Sequence, residues 1–277
     1  MARLSRAGFK KDFVRAAILP DWWDESCAEQ EDLLPEIDIR VARFLGLPLS
    51  ALRDHKTLIA ASAYPGAQLR RVQNVDRDRL APAIHSALSI AAAVVRSLNH
   101  SVPAAAALPV DGFAWREQMR AASRVVTLEH ILGSLWEHGI PVIPVDVLPT
   151  PSFQGIAGIV EGRPVILLCQ KHDEPGRLAF FIGHEAGHVA AGDCRVGQPV
   201  VDEEEELPAD AEMERRADRY ATRALVGADA APSLYAGEFK DLANRAAQVE
   251  KDSGADAGAV IFAWAARTRD YAKATMA

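Results

Sequence analysis

Cysteine is scarce in this chain: Cys27, Cys169 and Cys194 are the only three in 277 residues, widely separated and without a CxxC pair. That excludes a disulfide framework and points to a reducing, cytoplasmic setting. Positive charge is short as well. Lys and Arg number 31 against 38 Asp and Glu, a net charge of -7, so no global electrostatic case exists for nucleic-acid binding. Local basic patches remain, for example at Arg70–Arg71 and Arg215–Arg216. Long apolar runs are missing too. The most membrane-like stretch, residues 87–95, lies between His85 and Arg96 and falls well below the roughly 20 residues that cross a bilayer. The opening MARLSRAGFKKDF is basic but has neither the apolar core nor the cleavage site of a signal peptide. No internal repeat is visible.

What is present is an ordinary globular composition, 49% hydrophobic and 25% charged, enough for a sizeable core. The first hundred residues read as helical. A helix is expected over 10–18 before Pro20. A second runs over 35–45, with Gly46 at its C-terminal cap and Pro48 beyond, and Ser50 caps a short third. Residues 41–50 have the flavour of a helix-turn-helix corner but read as two packed helices around a glycine turn. Trp22 and Trp23 are expected to anchor this small core. An alanine-rich helix over 80–99 and a proline-bearing linker over 101–110 bring the chain to a boundary near 108.

Beyond it the pattern changes. Thr127 caps a helix whose apolar stripe is Leu128, Ile131, Leu132, Leu135 and Trp136. A proline-flanked strand follows over 140–145, suited to a sheet edge. Residues 155–160 and 163–168 form a hairpin about Glu161-Gly162. Asp173, Glu174 and Pro175 then open a helix that contains Phe181-Ile182-Gly183-His184-Glu185-Ala186-Gly187-His188 and stops near Gly192.

Histidines four apart share one helix face, so His184 and His188 can reach a single metal ion, with Glu185 placed to take a proton from water on that metal. A zinc centre needs a third protein ligand. In the next helix, over 211–225, the apolar stripe is Met213, Ala217, Tyr220, Ala221 and Ala224, and Glu214 lies about 60° from Ala217 on its flank. A carboxylate there is costly unless paired or metal-bound, so Glu214 is the expected third ligand. Asp218 is expected to orient a ligand histidine through its far nitrogen. Cys194 reads as an unligated thiol. The strand over 163–168, at Val165, Ile166 and Leu167, is the expected backbone partner for an extended substrate. Tyr220 and His172 are candidates by type alone for a donor to a developing oxyanion. Zinc is the expected ion, with manganese or another divalent cation as substitutes. The acid-rich residues 202–206 read as a solvated loop.

Three stretches resemble the ImmA/IrrE family of bacterial metallopeptidases: Gly155-x-x-Gly158 followed by Arg163-Pro-Val-Ile-Leu-Leu168, the Phe181-to-His188 helix, and Glu214-Arg-Arg-Ala-Asp-Arg-Tyr-Ala221. The resemblance covers about residues 128–225, with Tyr220 where the family usually has phenylalanine. It implies an α+β, mostly helical, zincin-like metallopeptidase domain over 109–227, with a small mixed sheet and active-site helices. An N-terminal helical domain over 1–108 precedes it and a C-terminal helical extension over 228–277 packs on it. By resemblance, His184, His188 and Glu214 would bind zinc and Glu185 would be the base. The substrate would be a protein, commonly a helix-turn-helix transcriptional repressor whose cleavage releases stress-response or mobile-element genes. The alternative is a regulatory protein that keeps the zinc fold without turnover, antitoxin-like or a stress-sensing partner of a transcription factor. An intact Glu185 speaks against it, since metal binding alone does not require that residue. No direct nucleic-acid or membrane contact is expected.

Overall fold

The computed structural model describes residues 2–54, 77–98, 102–121, 123–149, 153–169, 172–195, 199–202, 211–229 and 239–277. Residues 203–206 of the acidic stretch and the Arg70–Arg71 pair lie outside them. The described chain is mostly helical with one small mixed sheet, the α+β class expected. Helices α1 (Ala2–Arg6), α2 (Lys11–Ala17), α3 (Leu34–Leu45) and α4 (Leu49–Arg53) come first, then the long α5 (Arg77–Leu98), α6 (Gly112–Arg120) and α7 (Leu128–Glu137). Strands β1 (Val142–Pro144), β2 (Gly155–Val160) and β3 (Arg163–Leu168) lead into α8 (Pro175–Ala191). Strand β4 (Val200–Asp202), α9 (Ala211–Val226), α10 (Phe239–Ser253), α11 (Ala257–Thr268) and α12 (Tyr271–Met276) complete the order.

In the N-terminal unit, Gly46 takes the left-handed cap at φ 63° and closes α3. Pro48, not Ser50, stands at the cap of α4. Phe9, Phe13, Val14, Val41 and Leu45 fill the core there. Trp22 is 48% exposed and stands outside this core, so it does not anchor it. The unit docks on α5 through the Phe44 carbonyl, which meets His85 Nε2 at 2.9 Å and accepts from Ser89 Oγ at 3.2 Å.

The sheet runs β1-β3-β2-β4, with β1 parallel to β3 and β2 antiparallel to both β3 and β4. The hairpin turns on Glu161 (φ 51°) and Gly162 (φ 76°), the doubly left-handed two-residue turn that matches the strand twist. Proline-flanked β1 lies at an edge, as expected. Alternation divides the faces. Ile156, Val160, Val165 and Leu167 pack with Leu80, Ile84 and Leu88 of α5, whereas Ile166 joins the core around α8. Helix α5 is longer than its apolar stretch suggested: Leu80–Leu98 has the length and hydropathy of a membrane span, yet 56% of that window is buried, and it serves as the cover of the sheet. On the opposite face, α8 packs against α9 and α11. That core runs from Leu108 to Ala274 and so crosses the boundary expected at 227. The boundary expected at 108 separates α5 from the sheet it covers.

Candidate metal centre

Helix α8 begins with Pro175 in its first turn, and Glu174 rather than Asp173 stands at the cap. It ends at Gly192, φ 71°, whose N–H bonds back to the His188 and Val189 carbonyls. Between these stops, His184 and His188 point to one side with their rings nearly perpendicular, centroids 4.8 Å apart. Helix α9 can lie close because the α8 surface is bare. A methyl at Gly187 would come within 3.0 Å of Ala217 Cα, and one at Gly183 within 3.3 Å of Ala221 Cβ. The two glycines cost helix stability, about 1 kcal/mol each relative to alanine. In exchange α9 approaches near enough for Glu214 to meet the histidines.

Glu214 Oε2 lies 3.1 Å from His184 Nε2 and 3.6 Å from His188 Nε2, and the two Nε2 atoms are 3.1 Å apart. The far ring nitrogens face carboxylates. His184 Nδ1 is 2.9 Å from Asp218 Oδ1, and His188 Nδ1 is 3.1 Å from Asp193 Oδ2. A carboxylate only accepts, so both Nδ1 atoms carry the proton and, in the neutral rings, both Nε2 atoms present lone pairs. Three lone-pair atoms therefore converge on one point. Such a cluster stands only with a cation among its members. With metal–ligand bonds near 2.0–2.1 Å, tetrahedral zinc would set its ligand atoms about 3.3 Å apart. The three observed separations bracket that value. His184, His188 and Glu214 together could hold a metal ion.

The electrostatics agree. Burial alone would push the His188 imidazole down, but Asp193 and Glu214, with help from Glu185, raise it above its ordinary value. Burial works against a charged Glu214, yet its bonds to His184 and His188 outweigh this and hold the carboxyl well below the usual carboxylate range. Asp193, disfavoured by burial, is likewise held low by His188 and by Arg216, whose Nη2 donates to Oδ1 at 2.6 Å.

Asp193 is the site residue that the sequence pattern does not reveal. It follows the glycine that ends α8, where helical periodicity no longer applies. Its N–H bonds to the His188 carbonyl at 3.0 Å, folding the residue back onto the histidine it supports. Glu185 is 1% exposed and points at β2: a methyl placed on Gly155 would lie 2.6 Å from its Oε1.

Two further expectations are corrected. Ile166 and Leu167 pair with β1 on one side and β2 on the other, and the side chains of Val165, Ile166 and Leu167 are fully buried. A strand in the sheet interior offers no edge to a substrate. Tyr220 donates its hydroxyl to the Pro109 carbonyl at 2.9 Å and stacks on Trp115 with ring centroids 5.6 Å apart, so its proton is committed to the fold. His172 lies beside Glu174, its Nδ1 3.7 Å from Oε2, and is 45% exposed. It is not among the converging groups. Cys194 packs with Ala157, Val200 and Met213 and is not in the group that could hold a metal ion. Arg215 and Arg219 pair with Glu212, and Arg216 with Asp193. No protein-family model, curated protein or solved structure matches the chain.

Proposed function

We propose that this chain is a zinc-dependent endopeptidase of zincin-like, ImmA/IrrE type, acting in the cytoplasm on a specific protein, with a helix-turn-helix transcriptional repressor as the substrate class. The observation that carries this reading is the convergence of His184 Nε2, His188 Nε2 and Glu214 Oε2 on one point, with the buried carboxylate of Glu185 on the same helix.

His184, His188 and Glu214 would hold the zinc ion, which would supply Lewis acidity towards a peptide carbonyl and lower the pKa of water towards neutrality. Glu185 accepts a proton from the attacking water and returns it to the nitrogen of the departing amine. Asp218 and Asp193 hold the imidazoles of His184 and His188 with their Nε2 lone pairs turned inward. Burial of Glu185 and both histidines excludes bulk water and strengthens each of these interactions. Strand β4 is the last strand in the sheet order and pairs Asp202 with Gly155, the residue against Glu185; strand addition beside it is the route we assign to an extended peptide.

The test compares wild type with Glu185→Gln, both loaded with zinc, on a helix-turn-helix repressor encoded beside this protein's gene. Cleavage by wild type and a loss of at least about a hundredfold in Glu185→Gln is expected, in line with general-base catalysis. Binding of the repressor without cleavage by either protein would favour the non-catalytic alternative. Undiminished zinc affinity in Glu214→Ala would remove the third ligand.

A further inference from the structure

Among the described residues, the atom nearest to any side chain placed on Gly155 is Glu185 Oε1, which would stand 2.6 Å from the first added carbon; the carboxyl carbon follows at 3.3 Å and the Leu167 carbonyl oxygen at 3.5 Å. Real methyl groups do not approach an oxygen so closely. The glycine therefore has a neighbour that fills the side-chain space, and the neighbour is one specific carboxylate. Gly155 cannot retreat. It is the first residue of β2, paired with Leu168 of β3 on one side and Asp202 of β4 on the other. The step before it is tied down by the Cys169 N–H, which donates to the Gln154 carbonyl at 2.8 Å. Its φ is not left-handed, so backbone freedom does not explain a glycine here; space does. Along β2, Ile156 turns to the α5 face, which leaves position 155 on the face of α8.

We propose that Gly155 is the positioning residue for Glu185: the absent side chain forms the cradle that seats the carboxylate beside the metal point, and any larger residue displaces that carboxylate without touching the ligands. This deepens the peptidase reading and rests on it for the role of Glu185, but the contact itself does not depend on a metal. A methyl at 155 meets the end of the Glu185 side chain rather than backbone, so the side chain yields first and the strand stays in register.

The experiment is a double-mutant cycle of Gly155→Ala and Glu185→Ala in the full chain, read in three ways. Zinc affinity, measured by chelator competition, stays within about threefold of wild type in Gly155→Ala, because His184, His188 and Glu214 are untouched. Affinity of the zinc-loaded protein for acetohydroxamate, which chelates zinc and donates its hydroxyl proton to an adjacent carboxylate, falls about tenfold in either single variant, the weight of one charge-assisted hydrogen bond. It falls no further in the double variant. Additive losses, or no loss in Gly155→Ala, overturn the proposal. Should Gly155→Ala fold poorly, its thermal midpoint decides: recovery in the Glu185→Ala background supports the contact, and an equal penalty in both backgrounds overturns it. A wild type that takes up no zinc would defeat the peptidase reading instead, and the thermal cycle would still judge Gly155.

Discussion

Asp193 shows how much of a candidate metal centre is built by residues outside the group that could hold the ion. Its carboxylate lies between His188 Nδ1 and Arg216 Nη2, at 3.1 and 2.6 Å, so it fixes the tautomer of the histidine and ties the end of α8 to α9. Supporting carboxylates of this kind are worth about 10–100-fold in metal affinity. Asp193→Ala is therefore expected to weaken zinc binding by about that factor while the helix content stays that of wild type, as measured by chelator competition and circular dichroism. Equal affinity would remove Asp193 from the site. The contrast with Asp218 explains what a sequence reveals. Asp218 is one turn beyond Glu214 on the same helix, so the 3.6-residue period places it. Asp193 depends on a left-handed turn at Gly192, a position no period describes. Tyr220 is visible as an aromatic on a buried stripe, but the Pro109 carbonyl that accepts its hydroxyl's hydrogen bond is 111 residues away in the chain.

At the scale of elements, the centre exists because two helices touch. Gly183 and Gly187 of α8 face Ala221 and Ala217 of α9, and this small-residue seam sets the reach of Glu214. Gly187→Leu would drive a branched side chain into Ala217 and Tyr220, the nearest atoms standing 3.0–3.3 Å from the first added carbon. Overpacking of this kind costs about 1–3 kcal/mol. The expected result of denaturant titration is a loss in that range, accompanied by weaker zinc binding as the helices part; an unchanged protein would show that the seam does not set the geometry. The glycines are legible as expensive residues inside a helix. The glycine caps at Gly46 and Gly192, the Thr127 cap, the hairpin and the edge position of β1 are legible for the same local reasons, whereas the starts of α4 and α8 fall at Pro48 and Glu174, one or two residues from the side chains that their capping chemistry suggests. The role expected of β3 is not. Its run Val165-Ile166-Leu167 is apolar without alternation, the pattern of a strand covered on both faces, and that argues for the sheet interior over an accessible edge. Strand β4, three residues long, is too short to leave any period.

For the whole molecule, the decisive feature is that one core joins segments that the sequence pattern separates. Ala259 to Ala266 of α11 are all buried, as expected of a helix apolar on every side, and α11 packs on both α8 and α9. The C-terminal helices are interior material for the centre. Arg116 of α6 is the polar counterpart of that union. It is 3% exposed; Nη1 donates to the Ala224 and Leu225 carbonyls in the last turn of α9, and Nη2 donates to the Gly254 carbonyl at 3.2 Å between α10 and α11. Gly227 makes room for it, since a methyl there would lie 2.8 Å from Nε. The last carbonyls of a helix have no partner within it, so this guanidinium caps α9 while clasping the C-terminal helices to it. Arg116→Met keeps much of the volume and strands those acceptors away from water. Each such group costs about 1–3 kcal/mol, and relaxation of the loop at Gly254 would recover part of the sum. A net loss of about 2–4 kcal/mol is expected, which in a chain of this size lowers the thermal midpoint by about 5–15 °C. Zinc affinity at 25 °C should hold within about threefold, because Glu214 lies near the opposite end of α9 from the capped carbonyls. A midpoint within about 2 °C of wild type would show that the carbonyls find other donors. A collapse of zinc binding in a protein that remains folded would show instead that the far end of α9 governs where Glu214 sits.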